Sequence, residues 1–210
     1  ILNNKKKVEN IDIFFARSNL LHKDKKYIQS GKYLQEANQI KLSLYPSNCE
    51  QLIDKTNILL DEYEKKDKES EQIINNGDYI FIVGMPRSGS TLIESIISMN
   101  SNVYDLGEKN IFEESYLQWK DAQSSNNKIN LNQLYSNNIK EIYEDAKITT
   151  DKMLYNYQYA GIIATHLSNS KIIHCYRNPL DNILSIYRAH FGIGNYFASN
   201  LVDSAKVYSD

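Results

Sequence analysis

The stretch Tyr79-Ile80-Phe81-Ile82-Val83-Gly84-Met85-Pro86-Arg87-Ser88-Gly89-Ser90-Thr91-Leu92 decides how the rest of the chain is read. Its first five residues are continuous, β-branched and aromatic, the pattern of a parallel strand buried on both faces. Gly84 and Gly89 then stand five apart, a hydroxyl follows at Thr91, and the apolar Leu92-Ile93 opens a helix. Strand, glycine-bounded loop and helix in that order make the frame of a phosphate-binding loop. The glycines let backbone N–H groups converge on an anion, and the helix N-terminus adds its dipole. Ser90 stands where nucleotide triphosphatases carry an invariant lysine, so Arg87 is the candidate loop cation and Mg·ATP phosphoryl transfer loses a required group. The plain alternative is a glycine-rich turn with no ligand.

Downstream of the loop, strand-like Val103-Tyr104, Lys147–Thr150 and the stronger Lys171–Tyr176 (KIIHCY) alternate with helical patterns. Those patterns cover Thr91–Met99, about Leu131–Ala146, Tyr157–Leu167 and Pro179–His190, while Gln123–Asn132 reads as a polar surface loop. Alternation of this kind predicts βαβ units, hence an α/β domain with a parallel sheet and helices on both faces. The run KIIHCYRNPLDNILSIYRAHF (Lys171–Phe191) supplies a second anion site: Arg177 closes a strand, Asn178 is a natural N-cap and Pro179 suits the first helical turn. Ser185 follows Arg177 by eight residues, about two turns into the next helix. Ligands of open α/β sheets bind at the carboxyl ends of strands, where Arg177 is placed.

Upstream, Asp12–Tyr63 is helical by spacing: Phe14, Phe15, Leu20 and Leu21 are followed by Tyr33, Leu34, Ala37, Ile40 and Leu44 at steps of three and four. Tyr33–Pro46, with Ala37 inward, has the small-residue and terminal-proline spacing of a tetratricopeptide helix pair, and an ordinary helical cap fits the same periodicity. The charge-dense Asp61–Glu71 reads as a solvated helix end or linker, and Asn76-Gly77-Asp78 as a turn. We therefore expect a helical, tetratricopeptide-like region over 1–74 and the α/β domain over 75–210.

Composition narrows the partners. The 210 residues carry 24 basic against 26 acidic side chains, a net charge of −2, so anion binding must be local and neither nucleic acid nor an anionic membrane is an expected partner. No run approaches the ~18 apolar residues of a membrane-spanning helix, and no signal peptide is visible. Cys49 and Cys175 form no metal or disulfide pattern, which fits a reducing cytoplasm. Arginine is scarce beside lysine: Arg17, Arg87, Arg177 and Arg188 are all there are, and two of the four fall in the anion motifs. Arginine's planar fork suits phosphate better than lysine's point charge.

PRSGST (Pro86–Thr91) followed by YRNPLDNILS (Tyr176–Ser185) resembles the sulfotransferases that use 3′-phosphoadenosine-5′-phosphosulfate (PAPS). The helical N-terminus and Thr150-Asp151-Lys152-Met153 ahead of a helix are similar to the tetratricopeptide-linked, largely bacterial branch. The likeness spans about Tyr79–Phe191 and, more loosely, the N-terminal helices. It implies that Arg87, Ser88, Gly89, Ser90 and Thr91 hold the 5′-phosphosulfate, and that Arg177 and Ser185 hold the 3′-phosphate. In the family the domain continues well past the second motif, so the chain is expected to be truncated at its C-terminus; Ile1 in place of Met suggests a trimmed or partial N-terminus as well.

Sulfuryl transfer needs a base for the acceptor's proton and a cation at the bridging oxygen that leaves. The resemblance assigns the base to Glu108, 21 residues after Arg87, with Asp105 in reserve, and the cation to Lys152 with Arg87 sharing the charge. The plain readings are a surface glutamate opening a helix and a solvated lysine in a turn. Glu94, inside the loop helix, is read as structural and His174 as a buried strand residue. His22, His166, His174 and His190 are scattered without metal-ligand spacing, so no metal is expected. Arg188 and His190, beyond the second motif, face either the acceptor or solvent.

The leading expectation is a cytoplasmic, PAPS-dependent sulfotransferase acting on a hydroxyl or amine acceptor, with a protein partner possible through the helical region. One rival is a P-loop kinase or nucleotide hydrolase, which requires the loop lysine and an acidic residue ending an apolar strand. The other is a non-catalytic helical-repeat binding module carrying a truncated sulfotransferase domain.

Overall fold

The computed structural model describes residues 2–65, 77–125, 129–192 and 194–210, with side chains from Lys5 onward. The boundary expected near residue 74 lies outside the described residues. The helices are α1 (Leu2–Lys23), α2 (Tyr27–Leu44), α3 (Cys49–Lys65), α4 (Ser90–Ile97), α5 (Ile111–Ser124), α6 (Leu131–Lys140), α7 (Ala160–His166), α8 (Pro179–Tyr187) and α9 (Leu201–Ser209). The strands are β1 (Asp78–Gly84), β2 (Val103–Asp105), β3 (Ile148–Asp151) and β4 (Ser170–Cys175). The chain forms two compact units, Thr56–Arg177 and a second made of Ile1–Lys55 with Asn178–Asp210.

The Thr56–Arg177 unit is the expected α/β fold: a parallel sheet in the order β2-β3-β1-β4 with helices around it. Its register pairs Phe81 with Asp151, Gly84 with Cys175 and Asp105 with Thr150. The loops that follow all four strands therefore leave from one edge of the sheet, which is where such folds bind ligands. β1 is central and nearly wholly buried, which accounts for its unbroken apolar run. Phe81 meets Phe112 of α5 edge-on at 5.5 Å and stacks on Tyr135 of α6 at 5.6 Å. Phe112 also meets Tyr159 at 5.5 Å, so one aromatic cluster joins β1, α5, α6 and the 3₁₀ turn Leu154–Tyr159. Each such ring contributes about 1.5–3 kcal/mol by burial, plus roughly 0.5–1.5 kcal/mol per aromatic pair.

Three expectations change in detail. The helix read from Leu131 to Ala146 ends at Lys140. The pattern at Tyr157–Leu167 divides into the 3₁₀ turn and α7. His174 is exposed rather than buried, because β4 pairs with β1 alone among the described strands.

In the other unit, α1 packs along α2 through Ile11 and Phe15 against Leu34 and Ala37, with Ala37 fully buried as its spacing predicts. Ser18 and Ser30 exchange hydrogen bonds where the helices meet: each Oγ donates to the other's carbonyl, at 3.0 and 2.8 Å. Two buried polar side chains of α2 reach the C-terminal segment. Asn38 Nδ2 donates to the Tyr187 carbonyl at 3.1 Å, and Lys41 Nζ to the Phe191 carbonyl at 2.5 Å. α8 starts as its sequence dictates: Asn178 Oδ1 accepts from the N–H groups of Leu180 and Asp181, and Pro179 opens the first turn.

Candidate functional site

The loop after β1 has a backbone that few residues could adopt. Gly84 sits at φ +132°, and a Cβ placed there would lie 2.3 Å from the carbonyl oxygen of Cys175 on β4, so only glycine lets the two strands pair here. Arg87 takes the left-handed region at φ +68°, uncommon for a residue with a side chain. Gly89, at φ +105°, precedes α4 with open space where a Cβ would stand. Ser88 Oγ is buried and has no hydrogen-bond partner among the described residues. A bare helix N-terminus, glycine without crowding and an unsatisfied buried hydroxyl fit a bound anion.

At the far ends of β2 and β3, Lys152 Nζ lies 2.6 Å from Glu108 Oε1, so two of the three residues that the resemblance assigns to catalysis, all but Arg87, are in direct contact. The lysine side chain is only 6% exposed, whereas Glu108 is 63% exposed. Lys152 is thus buried rather than solvated, and Glu108 stands in the loop between β2 and α5, ahead of the helix rather than opening it. The turn is fixed by backbone pairing that continues the β2–β3 ladder: Leu106 N–H donates to the Thr150 carbonyl and Lys152 N–H to the Gly107 carbonyl.

A third residue joins them. Glu94, on α4 one turn beyond the loop, places Oε2 3.7 Å from Lys152 Nζ, with its side chain 10% exposed. Its carboxylate also takes hydrogen bonds from the Gly107 backbone amide and, at 3.5 Å, from Thr150 Oγ1. Burial raises the Glu94 pKa, Lys152 lowers it, and the neighbouring Asp105 charge raises it. The sequence carried a signal for this residue: Ser90 and Glu94, four apart, share the buried face of α4, while Leu92 and Ile96 share an exposed one. The helix is amphipathic with its polar side inward, which an apolar-in reading passes over.

Beside Lys152, Asp151 is fully buried. It accepts from Tyr135 Oη at 2.8 Å, Asn156 Nδ2 at 3.0 Å and the Met153 N–H at 3.1 Å. Burial outweighs these donors and pushes its carboxyl up to about 7. This buried network anchors the turn that carries Lys152, a structural role rather than contact chemistry.

The remaining predicted residues fall as follows. Arg87, Gly89 and Thr91 are exposed, Ser88 is half-buried and Ser90 is buried. Arg177 is exposed just past the end of β4, and Ser185 is on α8 in the other unit. The reserve base Asp105 ends β2, where its carbonyl accepts from Tyr143 Oη at 3.3 Å. Arg188 Nη1 lies 3.0 Å from His22 Nε2, and His190 stacks on Phe15 at 4.5 Å beside Asp12. Both beyond-motif residues are therefore packed on α1. No group of three His, Cys, Asp or Glu among the described residues could hold a metal ion, and no described helix is long and apolar enough to cross a membrane.

Residues 78–209 match the model of the sulfotransferase family. A protein of Aquifex aeolicus (strain VF5), named only as uncharacterized, is 32% identical over 129 residues, a match that takes in 53% of this chain and 17% of that relative's length.

Proposed function

The chain belongs to the sulfotransferase family, and from that premise we propose that it moves a sulfuryl group from PAPS to a hydroxyl or amine acceptor. The observation that carries the reading is the 2.6 Å contact between Lys152 and Glu108, at the strand ends beside the helix of the phosphate loop. A P-loop kinase requires a loop lysine where this chain has Ser90, whereas sulfuryl transfer needs a cation and a base, which this pair can supply.

When bound, PAPS supplies the sulfuryl group and a phosphate leaving group. The loop Arg87–Thr91 holds its 5′ end, through backbone N–H groups and the Ser88 hydroxyl. Arg177 holds the 3′-phosphate. Glu108, open to solvent, receives the acceptor's proton at the oxygen that otherwise contacts Lys152. Lys152 and Arg87 stabilise the negative charge that grows on the departing oxygen. Protonating Glu108 releases Lys152 from one carboxylate, which frees the ammonium for that oxygen as the charge develops.

The N-terminal helices are proposed to be a tetratricopeptide-like region that recruits a protein partner, and the cytoplasm to be the site of action. Support for the first is the packing of α1 on α2 around the buried Ala37.

The test is release of 3′-phosphoadenosine-5′-phosphate from PAPS in the presence of a panel of phenol, sugar and amine acceptors. Lys152→Ala should lower turnover roughly 100-fold, as loss of one preorganised charge does, while donor binding by calorimetry stays within about twofold. Turnover in the variant equal to that of the parent chain would refute the assignment of Lys152.

A further inference from the structure

We infer that Glu94 is a positioning residue that holds the Lys152–Glu108 pair in place and stays as the second carboxylate partner of the Lys152 ammonium while Glu108 accepts the acceptor's proton. This rests on the sulfuryl-transfer reading for its chemistry but not for its geometry. Lys152 has two carboxylate partners of opposite character: Glu108 at 2.6 Å is largely exposed, and Glu94 at 3.7 Å is almost wholly buried. A base must give up its ion pair when it takes a proton. A nearly buried lysine left with no carboxylate would then be a poorly solvated charge, costly at the moment it is needed. Glu94 remains as the second partner and removes that cost.

Glu94 also fixes the other half of the pair. It receives the Gly107 backbone amide, the residue immediately before Glu108, while Gly107 accepts the Lys152 N–H at 3.0 Å. A single carboxylate on α4 thus ties the β2 loop, through Gly107, to the β3 end, through Thr150 and Lys152. The charged groups that bear on Glu94 are Lys152, Asp105 and Asp151, the last coupled to it through space. Lys152 is the cation among them, which is why a carboxylate is tolerated on the buried face of α4.

The test uses the 210-residue chain labelled with ¹⁵N-lysine. An ammonium held in a buried ion pair exchanges its protons slowly enough to give a ¹H–¹⁵N signal, assigned to Lys152 by its loss in Lys152→Arg. The signal should persist in Glu108→Gln and vanish in Glu94→Gln, which keeps the size of the side chain and removes its charge. Persistence in Glu94→Gln, or absence of the signal from the parent chain, would overturn the inference. If Glu94→Gln does not fold, Glu94→Asp, one methylene shorter, should weaken the same signal, and an unchanged signal would count against the proposal. In the release assay, Glu94→Gln should cut turnover roughly 10- to 100-fold, as small misplacements of a catalytic group do, with KM for PAPS unchanged within about twofold. A loss carried in KM would place Glu94 in donor binding instead. A parent chain that shows the slow ammonium signal but releases no 3′-phosphoadenosine-5′-phosphate would refute the sulfuryl-transfer reading and leave the positioning geometry standing.

Discussion

Gly84 has no room for a side chain. Its Cβ would meet the backbone of Cys175, not a flexible side chain that could move aside, and its φ of +132° is costly for any other residue. Gly84→Ala should therefore destabilise the fold by at least 1–3 kcal/mol, the order of a strained backbone position, read from the urea midpoint. Asp151 makes a second prediction. Its carboxyl titrates at about 7 in the fold against an ordinary 3.8, so its contribution to stability is fully present below about 4 and is lost as the pH rises through about 7. That difference amounts to on the order of 4 kcal/mol. Urea titrations between pH 4 and 8 should show parent stability declining relative to Asp151→Asn across that window, and parallel profiles would show that Asp151 is ionised at both ends. At this scale the sequence was most informative about the loop, where Gly84 and Gly89 are fixed by backbone geometry. Glu94 escaped because a glutamate is buried only when a specific cation waits for it, and Lys152 is 58 residues away along the chain.

Elements were legible where one periodicity dominated. β1 and α8 carry their own signals, a continuous apolar run and an Asn-Pro cap, and the structure places them within a residue or two of the expected spans at their starts. α5 carried no such signal. Its Asn110 makes no side-chain cap, and its buried face mixes Phe112, Tyr116 and Trp119 with Ser115, whose hydroxyl turns back to the Ile111 carbonyl at 2.7 Å. Its partners Phe81, Tyr135 and Tyr159 come from three other elements, so packing rather than local pattern defines it. Phe112→Ala should accordingly cost about 3–5 kcal/mol, the usual range for emptying a fully buried aromatic site, measured by chemical denaturation. A loss below about 1 kcal/mol would mean that the aromatic cluster is not the core of this unit.

At the scale of the whole chain, the N-terminal helices have a long-range partner that periodicity does not reveal. Residues 1–55 share a compact unit with 178–210, and the links include part-buried polar contacts: Asn38 to Tyr187, Lys41 to Phe191, and Asn48 Oδ1 to the Phe197 N–H at 3.0 Å. Burial lowers the Lys41 pKa, as expected for a charge held by one carbonyl in a closed setting. A chain that begins at Thr56 should leave the amides of α8 and α9 unprotected in hydrogen exchange, while β1 and β3 keep their protection; protected α8 and α9 would show that the C-terminal helices stand without the N-terminal ones.

Sulfuryl transfer from PAPS requires the loop and Arg177 to hold a 3′-phosphorylated adenine nucleotide. The most direct measurement is a thermal-shift titration of the 210-residue chain with 3′-phosphoadenosine-5′-phosphate, beside Mg·ATP and adenosine monophosphate. Ligand at about 100 times its dissociation constant adds about 2.7 kcal/mol to the native state, ample for detection. The predicted result is a rise in Tm with the 3′-phosphorylated nucleotide, much reduced in Arg177→Ala and absent with adenosine monophosphate. A rise with Mg·ATP alone, or none with any of the three in a folded sample, would contradict it.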